Sequence, residues 1–208
     1  LVLDTRAPGV SFALASDAAV TRTTEVPLSI GLSPSDPATR VWLATDGGRF
    51  DTYSERTLPL ASGQTTFTLP AAAAPAGDGT YVVHARFFDA AGNATDRQDS
   101  IRLDRTAPEI VLADCTSCTT NGTTLFTNAA TQQATLGVLA TDAGGRVESL
   151  RVSIDGGAAT TSTYSGTLTV TLPSADGPHD VAITAVDDAG NTSTARTLRI
   201  VLDRQAPT

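Results

Sequence analysis

Residues 78–93 read DGTYVVHARFFDAAGN, and residues 176–191 read DGPHDVAITAVDDAGN. Asp78, Gly79, Val83, Asp89, Ala91, Gly92 and Asn93 all recur at an offset of 98 positions. Inside the first stretch Val83, Ala85 and Phe87 fall on one face, while His84 and Arg86 point the other way. Val181, Ile183 and Ala185 repeat that alternation in the second stretch. A period of two is that of a half-buried strand.

The joints repeat as well. LDTRAP stands at 3–8, LDRTAP at 103–108 and LDRQAP at 202–207, with the aspartate at 4, 104 and 203. DGG at 46–48 pairs more loosely with DGG at 155–157, and FTLP at 67–70 with VTLP at 170–173. Independent motifs at one period mark two tandem copies of a single unit of roughly 100 residues, an ordinary domain size. The cuts fall at the Asp-x-x-Ala-Pro joints, giving expected domains at 1–103 and 104–208. The third joint implies that the array continues, and a chain without methionine reads as an internal or processed piece.

Thr65–Leu69, Tyr81–Phe88 and Ser100–Leu103 read as strands, matched by Thr167–Leu172, Asp180–Val186 and Ala195–Leu202. Turn formers separate them at intervals of ~8–12 residues, the spacing of an all-β sandwich. Ala71–Ala76 is alanine-rich but follows Pro70 and is broken by Pro75, so it is not a helix. The composition agrees: threonine is abundant, the hydrophobic share is 40%, and the net charge is -8 with arginine as the only strong base. A hydrophobic share of that size is too high for simple disorder. An acidic chain without lysine clusters is a poor ligand for nucleic acid or an anionic membrane. No apolar run reaches the ~20 residues of a membrane helix, so direct membrane insertion is not expected.

The Asp-Gly-x-Tyr-x-Val arrangement at 78–83 resembles the start of strand F in immunoglobulin folds, where a tyrosine precedes the antibody cysteine by two residues. Trp42, on the run Arg40–Leu43, stands where a strand C tryptophan would stand. Val83 and Val181 replace the cysteines, His179 replaces the tyrosine in copy two, and copy two has no tryptophan. The closer resemblance is to the bacterial Ig-like repeats of secreted and surface proteins, whose units end in DAAGN, a strand and LDxxAP. DAAGN at 89–93, DDAGN at 187–191 and the three joints match that pattern. The implied fold is two tandem immunoglobulin-like β-sandwich domains in an elongated arrangement.

Two readings of the aspartates stand side by side. In one, Asp89–Asn93 is a hairpin turn, with the Asp89 carboxylate accepting from following N–H groups and Gly92 supplying a positive φ; Asp104 then caps a turn before a stiff Ala107–Pro108 linker. In the other, they bind calcium. The loop between the last two strands of such a sandwich lies at the pole that the preceding linker enters. Asp187 and Asp188 should then face Asp104 rather than Asp203, with Asp142 of ATDAGG close by. Asp4, Asp36 and Asp89 form the corresponding set in copy one. Such a set offers oxygens to Ca²⁺, which takes 6–8 of them, and would repel itself without a cation. The resemblance adds that large adhesins stiffen such arrays with calcium at their joints. No EF-hand or RTX-type nonapeptide is present.

Other motifs do not develop into sites. Cys115 and Cys118 form a lone CxxC, too few ligands for zinc and without the βαβ unit of a redox motif, so a short disulfide in an oxidising compartment is expected. There is no G-x-S-x-G elbow and no phosphate loop, and glutamate occurs only at 25, 55, 109 and 148. The expectation is therefore not an enzyme. It is a structural stalk, spacer or adhesion repeat of a large bacterial extracellular or surface protein. Its partners would be neighbouring repeats of the same chain and a cell-surface protein or glycan. The alternative is an accessory polysaccharide-binding or spacer module beside a secreted enzyme, for which Trp42 and Tyr53 are the candidate binding residues; their plainer reading is core and edge packing.

Overall fold

A computed structural model describes residues 3–61 and 65–206. Pro207, which closes the third joint, lies outside them. The chain divides into two compact units, Leu1–Arg105 and Thr106–Thr208.

Unit 1 runs β1 (Val10–Leu14), β2 (Val20–Thr21), β3 (Glu25–Leu32), β4 (Arg40–Ala44), β5 (Ser54–Thr57), β6 (Thr66–Thr68), β7 (Gly79–Phe88) and β8 (Ala94–Leu103). One sheet has the order β1-β3-β6 and the other β2-β8-β7-β4-β5. Unit 2 runs β9 (Glu109–Cys115), β10 (Thr119–Asn121), β11 (Thr124–Thr127), β12 (Gln133–Thr141), β13 (Val147–Ile154), β14 (Thr160–Thr163), β15 (Thr167–Thr171), β16 (Gly177–Asp187) and β17 (Arg196–Leu202). Its sheets are β15-β12-β9 and β10-β11-β17-β16-β13-β14. Among the described residues the pairings are antiparallel except for β2 with β8 and β11 with β17. Each unit is an immunoglobulin-like sandwich.

The alternation read from the sequence decides what each core contains. Val83, Ala85 and Phe87 on β7 are fully buried against Leu14, Val26, Phe67 and Leu69. Val181, Ile183 and Ala185 on β16 meet Leu136, Val170 and Leu172 in the same way. Phe87 is among the largest side chains with no exposure, and truncating such a residue costs about 3–5 kcal/mol. His84 and Arg86 lie on the other face of β7, half-buried.

Two readings need correction. The last strand of unit 1 begins at Ala94, not Ser100, and pairs with β7 over ten residues. Ala94–Asp99 is too polar to show a period, because little of it is buried; the ladder, not burial, makes it a strand. Trp42 is on β4 and β4 is the neighbour of β7, yet its side chain does not enter the core. Val41 and Leu43 take the inward positions at 0% and 1% exposure, which by parity turns Trp42 outward.

Candidate metal centre

Asp89 begins where β7 ends, and the DAAGN segment folds back over its carboxylate. Oδ1 accepts from the N–H groups of Gly92 (2.7 Å) and Asn93 (2.9 Å), and Oδ2 from Asn93 Nδ2 (2.8 Å). Gly92 sits at φ 95°, which an L side chain rarely adopts. Burial alone would raise the pKa of this carboxyl, but the bonds from Asn93 and Gly92 outweigh it and hold Asp89 below the usual carboxylate range. Asn93 Nδ2 also donates to the Asp4 carbonyl at 3.2 Å, which ties the leading joint to this turn.

One oxygen each from Asp4, Asp36 and Asp89 lies within 4.8 Å of the others. Asp36 Oδ2 is shielded from solvent and accepts no hydrogen bond. Three hard oxygen donors at this spacing, one of them orphaned, suit a calcium ion, and nothing in the set suits a softer metal.

Unit 2 repeats the turn. Asp187 Oδ1 accepts from Ala189 N–H (2.9 Å) and Asn191 N–H (2.8 Å), and Oδ2 from Asn191 Nδ2 (2.9 Å). Asn191 Nδ2 reaches the Thr106 carbonyl at 3.3 Å, as Asn93 reaches Asp4. An Asp142 oxygen lies within 4.8 Å of one from Asp187. Asp188 is not grouped with them; its Oδ2 lies 3.8 Å from Arg146 Nε. Asp104, at the end of β8 in unit 1, is fully buried; its N–H donates to the Thr21 carbonyl and its Oδ2 accepts from Arg102 Nη1 at 2.9 Å. Asp4 and Asp203 each accept from the N–H two residues on, of Arg6 and Gln205, as turn caps do.

The arginine that follows the joint aspartate was not singled out from sequence. Arg105 donates from its backbone N–H and from Nε to the Asp78 carboxylate (2.9 and 2.8 Å), and from Nη2 to the Ala72 carbonyl (2.7 Å). In unit 2, Arg204 Nε bonds Asp176 at 2.7 Å and Nη2 the Ser174 carbonyl at 2.6 Å. The signal was present, since Leu-Asp-Arg and Asp-Gly recur together in both copies. These clamps hold the corner that leads into β7 or β16. Inside that corner Tyr81 Oη donates to the Gly77 carbonyl at 2.8 Å, and His179 Nε2 stands 3.0 Å from the Ala175 carbonyl, each four residues upstream.

The remaining candidates are placed as follows. Cys115 and Cys118 form a disulfide with a Cα–Cα distance of 5.4 Å that closes the loop from β9 to β10. Trp42 stacks on Tyr53 at 4.3 Å, meets Phe88 edge-on at 4.7 Å, and donates from Nε1 to Glu55 at 2.7 Å. The Arg40 guanidinium lies 4.3 Å from the Phe88 ring centre. This aromatic row lies on the outer face of β4 and β7, with Tyr53 44% exposed.

Residues 107–204 match a family model described as a bacterial Ig-like domain, and residues 42–105 match a second model of the same description. No curated protein sequence matches the chain. Among solved structures, the Clostridium thermocellum CbhA fibronectin(III)-like modules share 16% identity at a TM-score of 0.54, over 92% of this chain and 94% of that one. A Ca²⁺-stabilized adhesin of an ice-binding Antarctic bacterium shares 22% identity at a TM-score of 0.43, over 96% of this chain and 50% of that one, so the chain spans about half its length. The chain thus belongs to the bacterial Ig-like domains, of which it carries two in tandem.

Proposed function

We propose that the chain is a non-catalytic structural segment, a spacer or adhesion repeat of a large bacterial extracellular or surface protein, with calcium stiffening its joints. The repeating modules are taken as 1–103 and 104–208, and the partners as neighbouring repeats of the same chain and a cell-surface protein or glycan. The observation that carries the reading is the carboxylate set Asp4, Asp36 and Asp89, with its orphaned Asp36 oxygen. Calcium is bound by 6–8 oxygens, and backbone carbonyls and water would supply the remainder. In unit 2 the counterparts are Asp142 and Asp187, flanked by Asp188. The adhesin among the similar structures is itself described as Ca²⁺-stabilized, which agrees with this reading. Bound calcium would supply positive charge against three carboxylates, while the Asp89 and Asp187 turns hold their oxygens in place beforehand.

Thermal unfolding of the whole chain tests this, with millimolar calcium and with chelator. A ligand at 100 times its Kd adds about 2.7 kcal/mol, so the midpoints should rise clearly with calcium. Asp36→Asn should reduce that rise. Coincident curves overturn the calcium reading and leave the spacer reading standing.

The aromatic row supports the second reading, an accessory polysaccharide-binding module. Trp42 and Tyr53 would offer flat faces to sugar rings. Retention on an insoluble polysaccharide that is lost in Trp42→Ala favours this module over the spacer.

A further inference from the structure

The corner residue that differs between the two units is the one that carries a proton. His179 is buried, and both of its ring nitrogens face acceptors that have no hydrogen to give. Nδ1 is 2.7 Å from Asp155 Oδ2, and Nε2 is 3.0 Å from the Ala175 carbonyl. A neutral imidazole has one N–H and one lone pair, so it can satisfy either contact but must turn a lone pair toward the other. The imidazolium satisfies both. In unit 1 the same place is held by Tyr81, whose hydroxyl donates one bond and carries no charge near neutrality.

The partner has changed along with it. Asp155 begins the DGG turn of unit 2, where its Oδ1 accepts from Asp180 N–H and its Oδ2 meets the histidine. Its counterpart Asp46 in unit 1 closes its own loop instead, accepting from the N–H groups of Phe50, Asp51 and Thr52.

We propose that His179 is a proton-operated latch: charged, it ties the Ala175 corner to the β13–β14 turn, and neutral, it must release one of them. The charged groups on the elements packed around it are Asp155 in that turn, Asp176 with Arg204 at the corner, and Asp180 with Arg199 opposite on β17; Asp155 alone among them bonds the ring. Ile200, its register partner on β17, is apolar and buried. Burial disfavours the charge on His179, but the bonds to Asp155 and Ala175 and the Asp155 charge outweigh it and raise its basicity above that of an ordinary histidine. The bond from His179, then that from Asp180 N–H, correspondingly hold Asp155 below the carboxylate range.

The sign follows. A group more basic in the folded state gives its full stabilisation below an ordinary histidine value of about 6.5, and loses it as pH rises through the folded value. Across that window the unfolding constant of unit 2 should rise by as much as tenfold per pH unit. A proton NMR titration of the whole chain reads the latch directly. Expected are a His179 midpoint above about 6.5 and protons on both ring nitrogens below it; a midpoint at or below that value, or a single ring proton at pH 5.5, overturns the proposal. His179→Tyr keeps a corner hydroxyl, so it should fold and remove the loss of unit 2 stability between pH 6 and 9. An unchanged loss in that variant also overturns it.

Discussion

Arg105 Nε donates to Asp78 Oδ1 across 2.8 Å, and this ion pair joins the end of β8 to the corner that begins β7. The carboxylate is only 7% exposed and the guanidinium 21%. Removing the arginine would leave a nearly buried charge and an unpaired Ala72 carbonyl. Arg105→Ala should therefore cost unit 1 about 1.5–3 kcal/mol, the range for hydrogen bonds to charged groups. Denaturant unfolding of the whole chain measures it, and Arg105→Lys should recover only part, because one ammonium cannot span both acceptors.

The Asp89 turn gives unit 1 an acid limit. Its carboxyl is more acidic folded than unfolded, so its contribution is complete above an ordinary aspartate value of about 3.9 and is lost as pH falls through the lower folded value. Unfolding midpoints measured from pH 6 down to pH 2 should fall most steeply below about pH 4. Asp89→Asn should flatten that fall and lower the plateau.

Reduction of Cys115–Cys118 should weaken unit 2 without unfolding it. The bridge spans a sequence separation of only 3, for which loop-closure entropy amounts to about 2 kcal/mol. Calorimetry with and without reductant should show the unit 2 midpoint falling by roughly 10 °C and the unit still unfolding cooperatively. Loss of the transition would mean that the bridge organises the sheet edge at β10.

Different features were legible from sequence to different depths. The repeat, the core strands β7 and β16 and the two Asp-Gly turns were readable because each ties residue type to a fixed local geometry. The family position put Trp42 on the right strand but did not say which face it takes; the parity of Val41 and Leu43 beside it does. Strands β2 and β11 are too short to show a period; β2 is defined by its parallel partner β8, and β11 by β17 and β10 on either side. Arg105 and Arg204 looked like ordinary surface charge, since their partners lie 27 and 28 residues earlier in the chain. The His179–Asp155 pair was hidden for the same reason: the substitution of histidine for tyrosine was visible, but not the carboxylate that the DGG turn brings to it.

The parallel pairings have a mechanical consequence. A pull on the two ends of unit 1, once β1 has been drawn off, loads β2 and β8 in opposite directions along their shared axis. Val20↔Arg102 and Thr21↔Leu103 would then be sheared together rather than peeled one at a time, with the Asp104 N–H to Thr21 carbonyl bond at 2.8 Å carrying load beside them. Unit 2 meets the same load with three register pairs, Leu125↔Ile200, Phe126↔Val201 and Thr127↔Leu202. Under tension unit 1, with the shorter parallel ladder, should yield first.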